Sequence, residues 1–424
     1  MLTGYRKEDR VRWTRLRWTS AAAALLLVAS VSARTIHVGQ GRDFTTIRAA
    51  LVNAKAGDSV LVHPGTYRER FTVGKSLTLI GVGRPVIDGL KRGTNVTIAA
   101  DRVTLRGFRI INSGRSSLHD YCGILVKNSR NVVISDNQMR SNQFSIMLQG
   151  CVKSDISHND VASDIMSMQV MGNAIHCWKS EQLHIHHNKV GHNRDGIYLE
   201  FVYESLIDHN TVSGCERYGL HFMFSHHNTY SKNYFSNNLA GVAVMYTHDV
   251  HMLHNVFAFN RGGSSYGLLL KEIQRGRIEH NRFTDNTVGI LMDGGVELQV
   301  RHNLFRNNGW GMRVVASSTN DTIRANNFIG NTFDVSTNSS FNSNTFDGNY
   351  WDKYDGYDLD KNGTGDVPYH MLSLFSTLAE KNAGVLLFFH SFLMNLMDMS
   401  ERLLPSITPD NYVDNMPSLK PFAT

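Results

Sequence analysis

The chain has 424 residues, 42% of them hydrophobic and 19% charged, with Gly 35, Pro 7, Cys 4, Met 16 and His 20. That composition excludes disorder, collagen and a disulfide scaffold. The formal charge of +6 is concentrated at the start: residues 1–33 carry six Lys+Arg against Glu8 and Asp9, or +4, which leaves +2 for the rest and no electrostatic footprint for a nucleic-acid partner.

The basic opening runs into an apolar stretch, Ala21 to Ala33, that ends Val31-Ser32-Ala33. This is the pattern of a secretory signal peptide over 1–33, too short to span a bilayer, and it predicts a mature chain beginning near Arg34 in the periplasm. Four cysteines at unmatched offsets give no disulfide assignment. Next, Ile47, Ala50, Leu51 and Ala54 recur at helical spacing behind Thr45 and Thr46, so a short amphipathic helix is predicted to close an N-terminal cap over 34–56.

A repeat dominates the middle of the chain. Gly123, Ser145, Ala174, Gly196, Gly219, Gly241, Gly267, Gly289 and Gly311 each open a short alternating segment, at spacings of 22, 29, 22, 23, 22, 26, 22 and 22 residues. Asn137, Asn159, Asn188, Asn210, Asn233, Asn255, Asn281, Asn303 and Asn326 repeat at 22, 29, 22, 23, 22, 26, 22 and 23, so both markers take their insertions at the same places. Short strands at a fixed period, with no intervening helical pattern, predict an all-β right-handed parallel β-helix of about 22 residues per coil, because one coil alone cannot bury its apolar face. The solenoid is expected over 57–346, with the Asn side chains forming a ladder up the stack.

Strand alternation then sorts the side chains. Ile146/Leu148, Ile175/Cys177, Ile197/Leu199, Leu220/Phe222, Val242/Val244 and Ile290/Met292 are expected inside, and His176/Trp178, Tyr198/Glu200, His221/Met223 and Ala243/Met245 outside. With coils about 4.8 Å apart, His176, His221, Met223 and Met245 share one patch, and Met166, Met168 and Met171 lie in the 29-residue unit beside it. Thioethers with imidazoles suit copper(I); the same composition also suits a protein-docking face, using Trp178, Tyr198 and the three loop methionines, or coverage by the long loop. A second column, His158, His187, His209, His254, His280 and His302, precedes the marker Asn and reads as structural, since no carboxylate or Cys accompanies it in the pattern.

β-Helices that cleave or epimerise acidic polysaccharides need clustered carboxylates. Here the outward acids on this face, Glu200 and Asp293, fall four coils or about 20 Å apart, so a secreted lyase or uronate epimerase is the alternative and not the main reading. Residues 347–370 form an Asp-rich loop in which Asp358, Asp360, Asn362, Thr364 and Asp366 follow the oxygen spacing of a calcium loop, with Tyr369 where the bidentate Glu belongs. Structural Ca²⁺ and a metal-free Asx-rich turn both fit. Finally, 371–424 predicts a helical tail whose apolar run, including Leu386, Leu387, Phe388, Phe389, Phe392 and Leu393, is expected to dock on a partner or cap the last coil.

Gly57–Glu69 (GDSVLVHPGTYRE), Leu77–Gly89 (LTLIGVGRPVIDG), Arg194–Val202, Tyr218–Asn228 (YGLHFMFSHHN), Gly241–Asp249 (GVAVMYTHD) and Gly348–Tyr369 together resemble the NosD family, periplasmic maturation proteins of nitrous oxide reductase. The likeness covers essentially the whole mature chain. It implies a non-enzymatic accessory protein that docks through its tail on the permease and ATPase subunits of an ABC transporter. It also implies a part in moving copper, with a copper chaperone, into the reductase. The family's copper or client contact would fall on His221, Met223 and Met245. Cys177, where Leu is expected, and the Met166–Met171 loop depart from the family pattern.

Overall fold

The computed structural model describes residues 33–164, 167–339, 341–388, 391–392, 396–397 and 412–423. The signal-peptide assignment lies outside them. Among the described residues the strands sort into three sheets of 16, 13 and 12 strands, called here first, second and third, and almost every neighbouring pair is parallel. One coil shows the unit: His184–His186 lies in the first sheet, Lys189–Gly191 in the second and Ile197–Glu200 in the third, and the next coil starts at Leu206–Asp208 directly above His184–His186. This is a right-handed parallel β-helix, as the period requires.

The stacking is in register because the same chemical need recurs in each coil. All twelve residues expected inside are fully buried. Phe235, Phe257, Phe283, Phe305, Phe328 and Trp351 form a continuous column, with successive ring centroids 5.6, 4.6, 5.0, 4.7 and 4.3 Å apart. At the turn beside it, each marker Asn donates its side-chain amide to the next Asn up the stack, as in Asn255 Nδ2 to Asn281 Oδ1 at 3.1 Å, and to a backbone carbonyl one coil below. These bonds satisfy polar groups that the turn buries. Glycine opens the third-sheet strands for a steric reason: a Cβ on Gly219, Gly241, Gly267 or Gly289 would lie 2.4–2.7 Å from the carbonyl oxygen of the next coil.

The His column ahead of the Asn ladder occupies a left-handed backbone position, with φ of 53–57° at His158, His187, His209, His254, His280 and His302, a conformation for which His, like Asn and Asp, is enriched. Its rings stack along the coil axis at 4.9–5.2 Å.

Both ends are covered. At the first, α1 (Ile47–Asn53) buries Ile47, Ala50 and Leu51, and Thr46 accepts the Ala49 N–H at 3.3 Å. Strand Thr35–Val38, ahead of α1, already pairs with Ser59–Val62. At the other end, α2 (Leu374–Lys381) starts at a Ser373 capping box, buries Phe375 against Phe333 and pairs Glu380 with Arg313. The chain then returns: Val413–Asp414 pairs in parallel with the last first-sheet strand and antiparallel with Tyr369–His370. The expectation of a helical tail through 424 is therefore corrected, because 412–423 close the solenoid as extended chain.

Candidate functional site

The outer face of the third sheet carries the residues singled out from the sequence. Register places Leu125, Met147, His176, Tyr198, His221 and Ala243 in one column on successive strands. Gln149, Trp178, Glu200, Met223, Met245, Lys271 and Asp293 form the next column. The structure thus brings Met223 and Met245 opposite each other, with His221 two residues from Met223 on the same strand.

Exposure departs from expectation. Alternation points His176 and His221 outward, yet His221 is only 3% exposed and Ala243 is fully buried. The rings cover one another: His176 and Tyr198 stand 4.7 Å apart, Tyr198 and His221 4.7 Å, and Tyr218 and His221 4.8 Å. Phe144 extends the stack at 5.7 Å from His176. The segments carrying Arg115 and Asp164 meet at that end. Arg115 and Ser141 both hold Asp164, and Gly172 passes so near Phe144 that a Cβ would sit 2.8 Å from its ring. Met171 is buried beneath this loop at 5% exposure, which corrects its assignment as a docking contact; Met168 is exposed, and Met166 lies outside the described residues. Tyr198 is half-buried in the ring stack. Trp178 remains exposed, with the Lys179 ammonium 4.4 Å over its ring.

The electrostatics of the covered column follow from its burial. Desolvation pushes the His176 imidazole down to about 4, assisted by Arg194, so the ring is neutral at neutral pH. Among the described residues neither ring nitrogen of His176 nor of His221 has a hydrogen-bond partner. Asp195, also buried, sits 3.6 Å from His221 Nδ1 while accepting from Arg217 Nε at 3.1 Å and Nη2 at 3.2 Å. Four buried imidazole nitrogens without hydrogen bonds are rare in a folded protein and mark places where a ligand can supply the missing bond. Imidazole nitrogens without hydrogen-bond partners, beside thioethers, are a soft donor set that fits copper(I).

Sequence reasoning missed three members of this cluster. Cys122 and Met147 are buried with their sulfurs 3.8 Å apart in a small outer core with Leu125 and Phe144, and Asp195 anchors the His221 end. The signal was available in the register, since Met147 pairs directly with His176. All four cysteines are free and buried.

The remaining candidates lie at the C-terminal end. Leu386 falls in the 3₁₀ turn Ala383–Phe388, where Leu387 is 89% exposed and Phe388 half exposed; Phe392 is 80% exposed. Phe389 and Leu393 lie outside the described residues. In the Asp-rich loop, the Asp358 carboxylate accepts the N–H groups of Asn362 and Gly363 at 3.1 and 2.9 Å, Asp360 accepts from Asn362, and Asn362 Oδ1 accepts the Thr364 N–H at 2.7 Å. Asp366 Oδ2 accepts the Leu359 N–H at 2.6 Å. These bonds give the loop an Asx-turn frame made of the same oxygens that the calcium spacing nominated.

The structure is a parallel β-helix with a covered column of imidazoles and sulfur side chains on one face, and exposed apolar residues at one end. The family model described as "Periplasmic copper-binding protein (NosD)" matches residues 162–356, and one described as a protein of unknown function (DUF1565) matches 71–216. The chain is 27% identical over 405 residues to the probable ABC transporter binding protein NosD of Pseudomonas aeruginosa, covering 84% of this chain and 87% of that one. It is 25% identical over 376 residues to the protein of the same name from Stutzerimonas stutzeri, covering 84% and 85%. The chain is thus similar to NosD-type proteins over most of its length. Among solved structures, the catalytic domain of a GH87 α-1,3-glucanase superposes with a TM-score of 0.57 at 11% identity, over 75% of this chain and 69% of that one. The GH136 lacto-N-biosidase of Eubacterium ramulus gives 0.50 at 10%, over 74% and 68%. Those likenesses concern the fold alone.

Proposed function

We propose that this protein is a periplasmic accessory component of an ABC transporter complex. It takes copper(I) from a copper chaperone, holds it as cargo, and serves assembly of the copper site of nitrous oxide reductase without catalysing a reaction itself. The observation that carries this reading is the set of ring nitrogens on His176 and His221 without hydrogen-bond partners, in the column next to the one that pairs Met223 with Met245. In this reading His221, Met223 and Met245 hold the ion, and His176 with Met147 extends the donor set along the column. The names of the relatives, probable ABC transporter binding proteins, support the transporter association. Exposed Leu387, Phe388 and Phe392 supply the apolar contact with the permease, so attachment to the membrane is through the partner.

The all-oxygen loop Asp358–Asp366 is assigned to structural Ca²⁺, a hard ion that does not compete for sulfur. The lyase alternative gains nothing from the geometry, since Glu200 and Asp293 stand four strands apart in the register. In cells lacking this gene the reductase should accumulate depleted of copper, and the wild-type gene should restore the metal where a Met223→Ala/Met245→Ala gene restores it poorly. Metal analysis of purified reductase reads the result; a fully metallated enzyme from the deletion strain contradicts the proposal.

A further inference from the structure

The outer face of the first sheet holds a second constellation, of different chemistry. Asp155–Ser157, His184–His186 and Leu206–Asp208 are neighbouring parallel strands, with Asp155 opposite His184, and Ser157, His186 and Asp208 in line. Ile156, Ile185 and Ile207 fill the interior, so the flanking residues point outward by alternation. His184 and His186 stack at 4.0 Å. One carboxylate oxygen faces both rings: Asp155 Oδ2 is 2.8 Å from His186 Nε2 and 3.8 Å from His184 Nδ1. The three ligand atoms lie within 4.8 Å of one another.

Those distances suit a divalent ion. Metal–ligand bonds of about 2.0–2.1 Å in a tetrahedral site separate the ligand atoms by about 3.3 Å. The two observed separations from Asp155 bracket that value, so small side-chain rotations are sufficient.

The outer shell is also present. His184 turns its other nitrogen, Nε2, to Asp208 Oδ1 at 2.7 Å, the carboxylate–imidazole arrangement that orients a metal-binding His and raises its basicity. Asp208 is in turn fixed by His209 Nδ1 at 2.7 Å, and His186 Nδ1 meets His187 Nδ1 at 2.9 Å. His187 and His209 belong to the turn column that looked free of carboxylates in the sequence; Asp208 corrects that reading. The pattern was legible only diagonally, as Asp155, His184/His186 and Asp208 in three successive coils.

We propose that Asp155, His184 and His186 form a binding site for a divalent first-row cation of the Zn²⁺ class, with Asp208 as the positioning carboxylate and the remaining coordination position open to solvent. The donor set is nitrogen and oxygen with no sulfur, so the site differs in metal preference from the His/Met column on the third sheet and does not depend on the copper reading. The other His/Asp group, His227, His248 and Asp249, is a useful contrast. Arg275 grips both oxygens of Asp249 at 3.0 Å and holds that carboxyl down at about 2, so its charge is already matched by protein.

The test is titration of the full-length mature protein with Zn²⁺, read by calorimetry, and with Co²⁺, read by visible absorption. One equivalent should bind with a tetrahedral or five-coordinate Co²⁺ spectrum. His184→Ala and His186→Ala should each weaken Zn²⁺ binding at least tenfold, and Asp208→Asn by about ten- to a hundredfold, while Asp249→Asn changes nothing. Copper(I) affinity should be the same in all four variants, which separates this site from the copper reading. Absence of stoichiometric Zn²⁺ binding, or binding that survives the His184→Ala/His186→Ala double change, overturns the proposal. The altered side chains lie outside the solenoid core, and circular dichroism of each variant verifies that the fold persists.

Discussion

Asp414→Ala should destabilise the solenoid by about 4 kcal/mol or more in urea unfolding, among the largest effects expected of single changes outside the aromatic column. The Asn ladder climbs from Asn137 to Asn349, each amide accepting from the coil before it, and the last amide needs an acceptor where no further coil exists. Asp414 supplies it. Fully buried, it accepts Asn349 N–H at 2.9 Å, Asn349 Nδ2 at 3.1 Å, Trp351 Nε1 at 3.0 Å and Gly348 N–H at 3.0 Å. Removing the carboxylate strands three buried donors and the part-buried Gly348 N–H, each buried one costing about 1–3 kcal/mol with partial relief by water at the end of the stack. Asn255→Ala, which breaks the ladder in mid-stack, should lose a comparable amount. A loss below about 1 kcal/mol at Asp414 would mean that the returning segment 412–423 does not hold the terminal coil.

The second large effect concerns partner association. Leu387→Ser/Phe388→Ser/Phe392→Ser should abolish co-purification with the transporter's membrane subunits while leaving the thermal midpoint unchanged, because these side chains are exposed and contribute little to the core. Deleting 383–424 would be a poorer experiment: it removes Asp414, Tyr412 and the strand pairing that close the last coil, so lost association would be confounded with lost stability. Retained co-purification of the triple variant would contradict docking through this segment.

Much of the fold was legible because the repeat imposes the same requirement in every coil. The Gly positions recur since a Cβ would strike the next carbonyl, the Asn positions recur since the turn buries polar backbone, and both therefore keep one spacing through the insertions. The helix α1 was equally readable from Ile47, Ala50 and Leu51. Other features had no local signal. Alternation tells on which side of a strand His221 lies, not that Tyr198 and Tyr218 cover it. A second amide ladder, Asn260–Asn286–Asn308–Asn331, was hidden because an Asn after a strand reads as an ordinary turn residue. The return of Val413–Asp414 to pair with Phe346 joins residues more than sixty positions apart, and nothing in the intervening run announces it.

The most direct test of the copper proposal is a competitive copper(I) titration of the mature protein under anaerobic, reducing conditions, beside the Met223→Ala/Met245→Ala and His221→Ala variants. One tightly held equivalent is expected in the wild type, weakened tenfold or more by either change. Equal affinity in all three proteins would place copper elsewhere and remove the functional role of the imidazole and thioether column.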